Sequence, residues 1–166
     1  MTVIAGFNIM GQAALIGDLL ASTDGASKSY VPLPMVDDPE RVLWKRLGYS
    51  AGLFRKLFLV SPFLCIAWSG GNKGAARIVD EMCYVAGSGP VPKDDFLKYM
   101  DDLRKEDQTS AIRLIALVIY DSGEVDLLAT PGTYRIDGLP QGMYAFAAGA
   151  GWDHAAELVL RRGRDT

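Results

Sequence analysis

Two apolar, β-rich runs open the chain, residues 2–7 (TVIAGF) and residues 12–17 (QAALIG), joined by Asn8-Ile9-Met10-Gly11. Such runs around a short glycine-containing link read as a β-hairpin. No other feature constrains the fold as strongly, because a hairpin built from the first residues ties the start of the chain into a sheet. The second run ends at Asp18.

Further elements follow from local pattern. Residues 21–30 (ASTDGASKSY) are small and polar and read as loop. Asp38-Pro39-Glu40 has the order of a helix start, and the spacing predicts a short helix over 38–47, stopped by Gly48. Residues 56–60 (KLFLV) and 63–68 (FLCIAW) read as strands around a turn at Ser61-Pro62. Beyond Ser69-Gly70-Gly71 the period changes. Ala75, Ile78, Val79, Met82 and Cys83 recur at helical spacing, and Phe96, Leu97, Met100 and Leu103 form a second stripe behind Asp94 and Asp95. Residues 112–120 are apolar on both faces apart from Arg113, as in a strand covered by other layers. Turns at 121–123 and 131–132 separate strands at 124–129 and 133–136. A last strand over 144–148 leads through Gly149-Ala150-Gly151 into a helix faced by Trp152, Ala155, Ala156, Val159 and Leu160. Strands, two helices, strands and a helix argue for α+β layering, with two antiparallel sheets and helices outside. No internal repeat or low-complexity tract interrupts the chain.

Composition narrows the class. A length of 166 residues, 49% of them hydrophobic, suits a single domain with a substantial core. The net charge is −3 and the basic residues are scattered, so no nucleic-acid footprint is expected. Arg161, Arg162 and Arg164 read as a solvated helix end. Gly87-Ser88-Gly89 lacks the Lys-Ser/Thr pair of a phosphate loop. Cys65 and Cys83 sit among apolar neighbours and read as small core residues, not as a disulfide framework. The single histidine, His154, leaves no His-cluster metal site. With no basic-then-apolar leader pattern and no span long enough for a bilayer, the expectation is a cytoplasmic protein without membrane association.

Chemistry enters at Thr2. A small second residue permits removal of Met1, which leaves a threonine with a free α-amino group. The hydroxyl can attack while the amine takes its proton, and that amine titrates near neutrality.

Residues 2–5 (TVIA), followed by a strand closed by Gly17-Asp18, resemble the opening of proteasome β-type subunits, members of the N-terminal-nucleophile hydrolase superfamily. The bacterial HslV-type peptidase subunits belong to the same group. Residues 56–71 (KLFLVSPFLCIAWSGG) resemble the family segment from the active-site lysine, through a turn, to a Gly-Gly pair, without a gap. The helix after Gly71, the hairpin at 120–125 (YDSGEV) and Gly149-Ala150-Gly151 also have counterparts. The resemblance implies a four-layer αββα sandwich of two antiparallel sheets with outer helices. It implies Thr2 as nucleophile, Lys56 as the neighbouring positive charge, Asp18 as the residue holding Lys56, and the Gly70 N–H as oxyanion donor. It further implies peptide or unfolded-protein substrates, a homo-oligomeric ring, an ATP-dependent unfoldase as partner, and no metal or organic cofactor.

Three features depart from the family pattern. Asp18 and Lys56 are separated by a longer stretch, an insertion at about 21–55, readable as a lid, a gate or a subunit contact. Ala150 stands where the family has a serine that assists the amine. The chain also stops soon after its last helix, so a C-terminally shortened version of the fold is expected. These departures keep two alternatives open: a catalytically silent scaffold or binding subunit of the same fold, and an amidase acting on small molecules.

Protein made in a host with normal methionine processing is expected to have an intact mass lacking one methionine. A mass that retains Met1 blocks the threonine amine and leaves the scaffold reading.

Overall fold

The computed structural model describes residues 3–18, 20–23, 49–53, 56–70, 72–106, 112–149, 151–153, 156–157 and 160. The chain is α+β: the described residues form two antiparallel four-stranded sheets, with helices packed against them. The first sheet contains β1 (Ile4–Ile9), β2 (Gln12–Gly17), β9 (Tyr134–Ile136) and β10 (Met143–Ala148), in the order β2-β1-β10-β9. The second contains β5 (Leu57–Ser61), β6 (Leu64–Ser69), β7 (Arg113–Ile119) and β8 (Val125–Ala129), in chain order. A separate two-stranded ribbon pairs β3 (Leu20–Thr23) with β4 (Tyr49–Leu53). The helices are α1 (Asn72–Ala86) and α2 (Lys93–Glu106). Among the described residues no helix is long and apolar enough to cross a membrane.

The expected opening hairpin forms, but Asn8 and Ile9, read as part of the link, extend the first strand. Ile9 pairs with Gln12, so only Met10 and Gly11 make the turn, at φ of 51° and 86°. Positive φ at both turn residues matches the right-handed twist of the flanking strands, and glycine takes the second position at no steric cost. The Asn8 side chain accepts the Gly11 N–H at 2.9 Å and secures the turn.

Alternation along each strand then sorts side chains into layers. Ile4 and Ala148 of the first sheet share one apolar cluster with Ala67, Ile115 and Leu127 of the second, so the two sheets pack on each other. The opposite face of the second sheet, including Leu64, Ile66, Leu114, Ala116 and Val118, is covered by Ile78, Met82 and Ala86 of α1 and by Phe96, Met100 and Leu103 of α2. Asp94 and Asp95 lie in the first turn of α2, where the helix dipole favours them. Ala5, Ala145, Ala147 and Ile136, on the outer face of the first sheet, pack with Trp152, Ala156 and Leu160. These last three fall within the predicted C-terminal helix, whose described residues 152–153, 156–157 and 160 are helical.

At one end of the interface a polar group joins the sheets. Asn8 donates to the Tyr144 hydroxyl at 3.2 Å, and Tyr144 donates to Asp126 at 3.0 Å. The Tyr120 hydroxyl reaches the other Asp126 oxygen at 3.5 Å. Burial first, and then the Asp126 carboxylate, hold both phenols above their ordinary range, so they stay protonated donors.

Several expectations change. Residues 20–23 are a strand rather than the start of a loop, because pairing with β4 overrides their weak local preference. Cys83 is exposed, since the buried stripe of α1 runs through Ala75, Ile78, Met82 and Ala86 and turns Cys83 outward. Val79 and Leu97 flank their stripes and are only partly buried. The helix expected over 38–47 lies outside the described residues.

Gly6 sits in the contact between the sheets. A Cβ there would lie 2.8 Å from Ile115 Cγ2, 2.9 Å from Leu15 Cδ2 and 3.0 Å from Leu127 Cδ1. All three are side-chain methyl carbons that would have to shift together. Gly6→Ala is therefore expected to lower stability by about 1–3 kcal/mol, measured as a fall in the urea midpoint at unchanged slope.

Candidate functional site

Asp18 fastens the start of β1. Its backbone N–H donates to the Val3 carbonyl at 3.0 Å, and the Val3 N–H donates to Asp18 Oδ2 at 2.9 Å. One residue thus holds the chain just behind Thr2 through both its backbone and its side chain. The other carboxylate oxygen, Oδ1, is buried and has no hydrogen-bond partner among the described residues. Burial pushes the Asp18 carboxyl above its ordinary range, while the Val3 N–H and the Lys56 charge pull the other way.

Lys56 lies just before β5 and is 2% exposed, an uncommon position for an ammonium group. Burial pulls its pKa below the ordinary lysine value, and the Asp18 charge opposes that fall. Gly17 makes room for it: a Cβ at Gly17 would lie 3.3 Å from Lys56 Cβ. The end of β2 in one sheet thus backs directly onto the start of β5 in the other. Asp18 and Lys56 act on each other through space, with no ion pair between them within 4.0 Å among the described residues.

Across the β5–β6 hairpin, Leu57 pairs with Ala67, and the Trp68 N–H donates to the Lys56 carbonyl at 2.9 Å. Lys56 is thereby opposite Trp68, and its Nζ rests 3.9 Å from the centroid of the indole ring. Two residues further on, Gly70 leaves β6 at φ 113° and leads to α1. That conformation is open to glycine and strained for other residues, so the sharp exit from the strand depends on it.

The structure therefore brings together Val3, Gly17 and Asp18 from the first sheet's hairpin with Lys56 and Trp68 from the second sheet, and places Gly70 just beyond Trp68. Thr2, Gly71 and Ala150 lie outside the described residues. Sequence reasoning missed Val3, Gly17 and Trp68. A signal for Trp68 was present: counting outward from Pro62 places residue 68 opposite residue 56. The cysteines stand apart from this group. Cys65 is partly buried, and burial pushes its thiol above the ordinary value, which disfavours the reactive thiolate.

Chemically, the group offers a positive charge and a carboxylate in a water-poor setting. Charges act strongly there because solvent screens them little. No protein-family model and no curated protein matches the chain.

The coupling has a definite sign. Asp18, with its raised pKa, contributes stability below about 3.8 that is lost as pH rises through its folded value. Lys56, with its lowered pKa, makes the fold more stable as pH rises through its folded value towards 10.5. Lys56→Met is expected to raise the Asp18 pKa further, and Asp18→Asn to lower that of Lys56. Side-chain carbon NMR titrations check both; an unmoved partner in either variant contradicts the coupling.

Proposed function

We propose that the protein is an amide-bond hydrolase of the N-terminal-nucleophile type, a threonine peptidase acting on peptides or unfolded protein. The observation that carries the reading is the meeting of the Asp18-fastened start of β1 with buried Lys56 at one end of the two sheets. Thr2 is the residue bonded to Val3, and the N–H of that peptide link is the one donated to Asp18. A lysine held at 2% exposure destabilises a fold unless something compensates, so its retention beside this strand start fits a catalytic use.

In this reading the Thr2 hydroxyl attacks the scissile carbonyl carbon and its proton passes to the Thr2 α-amine. The Gly70 N–H donates to the oxyanion. Collapse breaks the C–N bond, and the amine proton leaves with the departing nitrogen. Water then cleaves the acyl ester by the same route in reverse. Lys56 favours the deprotonated hydroxyl and the neutral amine electrostatically. This chemistry uses the chain's own groups and calls for no metal or organic cofactor.

The finer fold assignment belongs to the same proposal. The three apolar clusters, helices on one sheet, sheet on sheet, and Trp152, Ala156 and Leu160 on the outer face, fit a four-layer αββα sandwich of the proteasome type. A cytoplasmic homo-oligomeric ring served by an ATP-dependent unfoldase would be its setting. Ala150, where the resemblance calls for a serine, favours the second reading of a silent scaffold.

Thr2→Ala is expected to lower turnover of a peptide panel by roughly 10⁴-fold or more, since it removes the nucleophile. Lys56→Met is expected to lower kcat by roughly 10²-fold or more. The parent rate should rise with pH through about 7–8 as the α-amine loses its proton. Turnover that survives Thr2→Ala sinks the proposal. A parent protein that is inert and leaves a threonine-directed electrophile unreacted is the scaffold. Simple amides cleaved in preference to peptides would identify a small-molecule amidase.

A further inference from the structure

A buried ammonium needs a partner, and the direct contact here is not a carboxylate. Lys56 is 2% exposed and Trp68 4% exposed. The Nζ lies 3.9 Å from the indole centroid, well inside the range at which the negative face of the ring attracts a cation. Asp18 is the one ionisable side chain whose charge acts on Lys56 among the described residues, and it does so through space.

We propose that the indole face of Trp68 is a cation–π seat that positions the Lys56 ammonium at the site and keeps its charge unneutralised. The catalytic meaning of this seat rests on the peptidase reading above; its physical existence does not.

Strand register builds the seat. Directly opposed residues of an antiparallel pair project side chains to the same face. The Leu57–Ala67 pairing and the Trp68 N–H to Lys56 carbonyl bond therefore fix the ring and the ammonium together. Trp68 is itself held from the other side, paired with Leu114 in the middle of the sheet. A side chain at Gly17 would crowd the Lys56 Cβ and backbone, so the glycine keeps that space open. The side chain thus starts beside Gly17 and ends at the ring.

The choice of an aromatic partner has a chemical consequence. A carboxylate in contact with Lys56 would cancel its charge and accept its proton. An indole face stabilises the charged form but can do neither, so in the peptidase reading the ammonium keeps a positive field for the Thr2 hydroxyl and amine. Trp68 acts through Lys56 and is a positioning residue, not one that touches reacting atoms.

The test weakens the ring without reshaping it. The full chain is produced with tryptophan replaced by mono-, di- and trifluorotryptophan, which progressively deplete the ring's negative face. Lys56 is followed by its side-chain carbon titration, and kcat and KM for a peptide substrate are measured in parallel. The expected result is a stepwise fall in the Lys56 pKa across the series, with kcat falling roughly tenfold at unchanged KM. Trp68→Phe should retain most of the effect, and Trp68→Leu should lose it. A Lys56 titration that does not move along the series overturns the seat. A titration that moves while kcat stays constant overturns the positioning role. If the parent protein shows no turnover but the titration moves, the peptidase reading fails and the seat stands.

Discussion

The close approach of the two sheets at Gly6 is the constraint on which the rest of the structure depends. With only hydrogen at that position, β1 settles onto Ile115 and Leu127 of the second sheet. The position of the hairpin decides where its ends fall. Gly17 comes to rest beside Lys56 at the start of β5, and Asp18, bonded to Val3, falls near enough for its charge to act on that lysine.

The two ends of the sheet interface solve the problem of buried polarity differently. At the Asn8 end, Asn8, Tyr144, Asp126 and Tyr120 form a chain of donors and acceptors. Such a satisfied network adds specificity to sheet packing at little electrostatic cost. At the Lys56 end, Asp18 keeps a buried oxygen without a partner among the described residues, and Lys56 lies under a ring. Both groups are pushed towards their neutral forms by burial. Selection for stability alone would favour apolar residues at such positions. One end behaves as a fastener, the other as a place where buried charge is left without a hydrogen-bonded counter-ion among the described residues.

Much of the architecture was legible because periodicity reports burial directly. The opening hairpin, the strands around Pro62, the helical stripes through Met82 and Met100, and the strand through Ile115 all carry patterns set by the face they bury. Residues 20–23 lacked such a pattern, since their strand exists through pairing with β4 and not through propensity. Cys83 was misread because its spacing fits the stripe approximately, while its exposure depends on where α1 rests on β5 and β6. In the candidate site, Lys56 and Asp18 could be named from a resemblance. Trp68, Gly17 and Val3 could not, because their roles arise from register and from the contact of two sheets.

What the sequence by itself determined is local and chemical. It set the hairpin turn through Gly11, the exit from β6 through Gly70, the helix faces, and the presence of Thr2, Asp18 and Lys56 as groups suited to amide chemistry. Only the tertiary structure decided which of these meet. It put Asp18 on the Val3 N–H, buried Lys56 behind Gly17, and set the Lys56 ammonium on Trp68. The physical reason is that charge, burial and ring contacts are through-space quantities. A lysine read from sequence alone is a solvated cation, and it becomes a tuned one only when a second sheet removes its water.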